Sequence, residues 1–182
     1  MRSLLIIAIA LFICCNATTA PTLPERFDAT GQDPETKNRI RCDYTIGRCR
    51  IDLGFERRFD LTIWYGKLGE YAETWTYMRT FFPRIKQCSF YEAPFELTNE
   101  ALAKAKYIGQ HMKHGYLTDV YQLHTSDKAL VFFRASDKEF CGLGIYHYDE
   151  PHMQWHFQKF KVVENFDSEI FYKPKDLDCE EI

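Results

Sequence analysis

The chain has 182 residues, and 23 Lys+Arg against 26 Asp+Glu leave a net charge of −3. With 46% apolar and 27% charged residues it suits one globular domain of ordinary size, not a disordered or fibrous chain. The near-neutral charge excludes the strongly basic footprint of a typical nucleic-acid binder.

The aromatic content, 15 Phe, 11 Tyr and 3 Trp, favours pleated surfaces, so β structure is expected. Arg2 is followed by an uncharged apolar run from Leu4 to Cys15 and then small residues. This is the pattern of a secretory signal peptide over residues 1–17, with cleavage expected after Ala17. The run is shorter than the roughly 20 residues a membrane-spanning helix needs, and no second apolar stretch of that length follows, so no membrane span is expected. The mature protein is therefore expected to be secreted and extracellular. The sequon Asn16-Ala17-Thr18 straddles the expected cleavage site and is not counted as a glycan site.

Residues 18–38 are polar, with three prolines and little periodicity, and read as a flexible leader. A single β-rich domain is expected over 39–182. Ile40, Cys42 and Tyr44, then Cys49, Ile51 and Leu53, alternate with charged residues and predict a hairpin through Thr45-Ile46-Gly47. Phe59 to Tyr65 predicts a third strand and Glu70 to Phe82 a fourth. Thr98 to Ile108 carries the one local helix signal, with Asn99 as a possible cap. Strands are expected again at Tyr116 to His124 and Leu130 to Arg134. Leu143 to Tyr148 and Met153 to Val163 predict a hairpin, and Ile170 to Tyr172 a last short strand. The pattern suggests an antiparallel sheet or sandwich with one short helix.

No hydrolase elbow, zinc-protease pair or phosphate loop occurs, and the protein is not expected to be an enzyme. His152 and His156 would share a face of one strand with His147 across the hairpin, a geometry zinc accepts, although half-wet strand faces carry histidine commonly. His111 and His114 suit a helical face in a segment that is not helical. Cys141 with His147 could make a nucleophile, but in a secreted chain a disulfide partner is the usual role. Five cysteines follow the signal: Cys42, Cys49, Cys88, Cys141 and Cys179. Two bridges and one leftover are expected, and spacing does not choose among the pairings. The acidic segments Asp167 to Glu169 and Asp176 to Glu181 lack the ligand register of a strong calcium loop.

The large rings exceed what one small core needs, and a curved sheet carrying them can enclose an apolar cavity. The candidates, chosen by size and strand placement, are Trp64, Trp75, Tyr77, Phe132, Trp155 and Phe157.

An ordered set of segments, CDYTIGRCRIDL, FDLTIWYGKLGEY, IKQC, ALAKAKYIGQ, YLTDVYQLH, FFRASDKEFCGLG and NFDSEIFYKPKDLDC, resembles the ependymin-related secreted proteins over roughly residues 39–179. The resemblance implies curved antiparallel sheets, a β-sandwich or half-barrel similar to bacterial lipoprotein carriers. It also implies an apolar pocket for a lipid-like ligand, a homodimer, and calcium-linked association with extracellular protein or matrix. It pairs Cys88 with Cys179, and Cys141 with Cys42 or Cys49, and it makes Ala105 to Gln110 a strand. Unlike most of that family, the mature chain would carry no sequon. The expected function is binding of a hydrophobic small molecule or lipid, or of an extracellular partner. A lipocalin-type carrier ranks behind it because the N-terminal Gly-x-Trp entry is missing; a matrix protein with a filled core is the other alternative.

Overall fold

The computed structural model describes residues 19–31, 38–55, 59–65, 74–80, 86–90, 97–124, 129–147, 150–172, 175 and 180–181, with the side chains of some strand residues left undescribed. The signal segment, the sequon, Cys179 and most of the acidic tail lie outside these residues. None of the described helices is long and apolar enough to cross a membrane.

The protein is mostly β, built from two antiparallel sheets, one of them curled into a half-barrel. The eight-stranded sheet contains β1 (Arg26–Thr30), β2 (Arg39–Asp43), β3 (Arg48–Phe55), β4 (Phe59–Tyr65), β5 (Thr74–Thr80), β6 (Lys86–Phe90), β12 (Lys159–Val162) and β13 (Glu180–Glu181), in the order β12-β1-β2-β3-β4-β5-β6-β13. Only the two-residue β13 runs parallel to its neighbour, β6. The five-stranded sheet contains β7 (Lys106–Lys113), β8 (Tyr116–Gln122), β9 (Ala129–Arg134), β10 (Phe140–His147) and β11 (Glu150–His156), in the order β11-β10-β9-β8-β7.

One face of each sheet contributes to a shared core. Phe27, Ile40, Ile51 and Ile63 from the first sheet join Tyr121, Val131, Phe133, Phe140 and Leu143 from the second. The rings interlock edge to face: Phe133 meets Tyr121 at 5.8 Å and Phe140 at 5.9 Å, and Phe140 meets Phe27 at 6.2 Å. Burial of a ring of this size stabilises the fold by roughly 1.5–3 kcal/mol.

Four expectations need correction. The segment read as a flexible leader contains β1, which sits inside the larger sheet between β12 and β2, with Phe27 and Ala29 fully buried. Five residues are too few for periodicity to register between prolines, but they suffice once two neighbours supply hydrogen bonds. The helix signal from Thr98 yields only α1 (Asn99–Ala103). A helix that short is marginal alone, and pairing with β8 claims Lys106 onward as strand. Thr98 caps α1 by accepting from the Ala101 N–H at 3.0 Å, leaving Asn99 to hold the Leu23 backbone through bonds of 2.7 and 2.9 Å. Met153 to Val163 is two strands in different sheets, crossing at Phe157 and Gln158. Ile170 to Tyr172 is not a strand: a 3-10 turn at Ser168–Phe171 rests on β3.

Candidate functional site

Of the six aromatic candidates, the structure describes the surroundings of Phe132, Trp155 and Phe157. Phe157 is buried in the inter-sheet core and Trp155 packs against it. Phe132 lies on the opposite face of its sheet, in a separate cluster. Trp64 and Trp75 pair with each other and extend the cross-strand row of Arg41 and Arg50, while Tyr77 pairs with Thr62 in the row of Asp52 and Arg39. By register these three stand on the face away from Ile51 and Ile63; their side chains lie outside the described residues. Strand parity separates them, because adjacent strand residues point to opposite faces.

The cluster around Phe132 is a second apolar cluster, apart from the inter-sheet core. Val120, Leu130, Phe132, Cys141 and Met153 are buried on the side of the five-stranded sheet that faces away from its partner, and Ile108, Tyr116 and Tyr146 border them. What encloses them is the bend of the sheet itself. The turn between β7 and β8 comes over to β11, the opposite edge strand, where the parallel rings of His114 and His156 stack at 4.3 Å. The Tyr116 hydroxyl is hydrogen-bonded to His156 Nε2, and the Arg134 guanidinium lies over the Tyr116 ring. Burial, with the neighbouring His114 adding to it, pushes His156 down to about 4, so the His156 ring is neutral near pH 7. His114 itself adopts φ 47°, a left-handed turn conformation.

Two glycines of β10 admit the contents of the curl. A Cβ on Gly142 would lie 2.8 Å from Met153 Sδ, and one on Gly144 would lie 2.0 Å from the His152 carbonyl oxygen and 2.9 Å from the Phe132 ring. The concave side is therefore occupied by the protein's own Met153 and Phe132. Methionine is unbranched and adapts readily to a changed neighbourhood.

The geometry separates two of the strand histidines and buries the Cys141 thiol. A register shift between Leu143 and Gly144 leaves Gln154 out of the pairing, so His156 falls in the row of Gly142 and Phe132, whereas His152 falls in that of Ile145 and Ala129. The two histidines therefore do not share a face, and the His147 side chain lies outside the described residues. Among those residues, no three His, Cys, Asp or Glu side chains gather as a metal site requires. His111 is instead a backbone acceptor for the Thr118 hydroxyl. Cys141 is a free, buried thiol whose Sγ lies 3.5 Å from the Phe132 carbonyl oxygen. Burial pushes that thiol up to about 12, the reverse of activation. Asp167 spends its carboxylate capping the 3-10 turn, accepting from the Glu169 N–H at 3.1 Å.

The cysteine pairing is also corrected. Cys42 and Cys49 lie directly opposite on β2 and β3, with Cα atoms 4.1 Å apart, and are bridged to each other. Neither is paired with Cys141, contrary to what the family resemblance implies. For Cys88 and Cys179 only the flanking backbone speaks: Ser89 and Glu180, the residues following each, lie opposite in the β6–β13 pairing.

Two groups that sequence reading missed complete the polar inventory. Asp119 is buried in β8, 1% exposed, and accepts from Lys138 Nζ at 2.5 Å and Gln110 at 2.9 Å. Burial opposes its ionisation, but those bonds outweigh it and hold the carboxyl below the usual range. The outward face of β12, β1, β2 and β3 carries Lys159, Lys161, Arg26, Arg39, Arg41, Arg48 and Arg50 against Asp28, Asp43 and Asp52. Alternation with apolar residues made that wet face readable, but not its composition across strands.

The chain matches no protein-family model, and no curated protein matches it.

Proposed function

We propose that this is a secreted, non-enzymatic binding protein, related to the ependymin-like proteins, that holds an apolar, lipid-like ligand within the curl of its five-stranded sheet. The observation that carries the reading is the buried apolar face of Val120, Leu130, Phe132, Cys141 and Met153, away from the inter-sheet core and bounded by the contact of His114, Tyr116 and His156. Apolar burial drives binding there, Met153 moves to make room, and the Tyr116 and Tyr146 rings border the mouth. Homodimerisation and calcium-linked matrix association belong to the same reading.

The test is native mass spectrometry of protein secreted from eukaryotic cells, followed by organic extraction. About one co-purifying lipid per protomer is expected, and a Phe132→Ala/Met153→Ala variant that stays folded should lose it. A bare polypeptide mass and an empty extract would refute the reading. The close fit of Met153 and Phe132 against Gly142 and Gly144 favours one alternative, a filled curl in a protein that works through its surface. An empty extract would select it.

A further inference from the structure

We infer that the outward face of β12-β1-β2-β3 is a docking surface for a linear sulfated glycan, independently of what the curled sheet holds. This face bears a local excess of four positive charges, seven cations against three carboxylates, in a chain whose net charge is −3. Its carboxylates are already engaged. Asp28 pairs with Arg39, Asp43 accepts from Arg26 at 2.9 Å and from the Thr45 hydroxyl at 2.5 Å, and Asp52 accepts from Arg41 at 2.6 Å and Arg50 at 2.9 Å. Among the described residues no carboxylate comes within ion-pair distance of Lys159, Lys161 or Arg48; Arg48 lies over the Tyr172 ring at 4.2 Å instead.

The arrangement is costly to the fold alone. Arg41 stands directly opposite Arg50, so that Asp52 has to bridge two like charges, and Arg41 Nε is buried with no hydrogen-bond partner. Positive charge concentrated at such cost fits an anionic partner, and guanidinium forks match the oxygens of sulfate.

Shape and compartment narrow the class. Lys159 and Lys161 are the exposed cations at the β12 rim of this face. Behind Lys161 the row through Asp28 and Arg41 to Arg50 continues the charge for three strand spacings, about 14 Å, with Arg41 only 12% exposed and Arg50 also donating to the Ile170 carbonyl. A chain of anionic groups laid along the rim fits this better than one small anion. The Cys42–Cys49 bridge that ties β2 to β3 belongs to an oxidising compartment, where sulfated glycans are polyanions and nucleic acids are not the usual partners. A lipid surface fits less well: the exposed Val162 falls in the row of Phe27, on the sheet's other face, and Ile46 sits in the β2–β3 turn, off the face.

The experiment measures retention of the full-length secreted protein on immobilised heparin as salt is raised. Wild type should be retained at low salt, and Lys159→Ala/Lys161→Ala should lower the log–log salt slope by about two, one per lost cation. Lys104→Ala/Lys106→Ala, the same charge change elsewhere, should leave the slope unchanged. Both lysines of β12 are exposed, and an unchanged Tm will verify folding. Should the double variant misfold, amine acetylation of wild type supplies the test: heparin should protect Lys159 and Lys161 and leave Lys104 reactive. No retention, an equal loss in the control pair, unprotected Lys159 and Lys161, or binding to phosphatidylserine–phosphatidylcholine vesicles with none to heparin would each overturn the inference.

Discussion

Each sheet buries one face against the other, and they differ in what they do with the remaining face. The eight-stranded sheet turns cations and carboxylates outward along β12, β1, β2 and β3, where opposite charges pair. The five-stranded sheet has a second apolar face and covers it by bending until one corner meets the far edge. Strand β9 shows the consequence most plainly: Ala129 to Phe133 are all buried, although alternate residues face different clusters. A face that, among the described residues, is covered by its own sheet's bend can open without dismantling the main core, and this separates the cluster proposed to hold an apolar ligand from the region that holds the fold.

Adjacent phenylalanines test that division most sharply. Phe133 faces the inter-sheet core and Phe132 the curl, and both are fully buried. Replacing Phe133 by Ala should cost about 4 kcal/mol, within the range for a buried ring. Phe132→Ala should cost less, about 2–3 kcal/mol, because the smaller cluster can collapse and Met153 can shift into the space. Equal losses in urea unfolding would mean that the curl is as much a structural core as the interface between sheets.

The glycines of β10 sharpen the same contrast within one strand. Gly144→Ala drives a methyl group into the His152 backbone oxygen and should cost about 3 kcal/mol, the upper end for overpacking. Gly142→Ala meets only the end of Met153, which can move, and should cost about 1 kcal/mol. A reversed order in thermal unfolding would show that β10 adjusts its backbone more easily than the side chains inside the curl.

For the other sheet the comparable staple is the Cys42–Cys49 bridge. Closing its short loop, with a sequence separation of 7, should stabilise the fold by about 2.5 kcal/mol, and Cys42→Ala/Cys49→Ala should lose that amount. Peptide mapping without reduction should recover this bridge and a free Cys141, together with the Cys88–Cys179 bridge we propose from the family resemblance and the β6–β13 register. A Cys42–Cys141 or Cys49–Cys141 peptide would refute the pairing.

Much of the fold was legible because alternation is a local signal: β2, β3, β4, β8 and β9 appear where Ile40, Ile51, Ile63, Val120 and Val131 mark them. The candidate site was not. Parity puts Phe132 and Phe133 on opposite faces, so choosing rings by size alone left out information the strands already carried. The His114–Tyr116–His156 latch had no local trace at all, since it depends on how far a sheet bends and on a bulge that leaves Gln154 out of register. β1 escaped notice for the related reason that its strand character comes from neighbours distant in sequence.

The latch makes the most specific prediction, a pH dependence confined to the curled sheet. His156 has a folded pKa of about 4 against an ordinary 6.5, so between those values the unfolded chain binds more protons than the folded one. Stability therefore rises with pH across this window: the contribution is fully present above about pH 6.5 and is lost as pH falls toward 4. Because His156 is only partly buried, the change should be about 1–2 kcal/mol after screening. Protonation would put charge on a ring stacked against His114 and bonded to Tyr116, with Arg134 nearby, so the edge contact should loosen before the inter-sheet core does. Hydrogen exchange at pH 5 should accelerate in the β7–β8 turn and β11 while β2 and β3 stay protected, and His156→Gln should flatten the pH dependence of Tm between 6.5 and 4. Uniform acceleration across both sheets would mean that the curl and the core open as one unit, and the contrast between the two faces would carry no functional meaning.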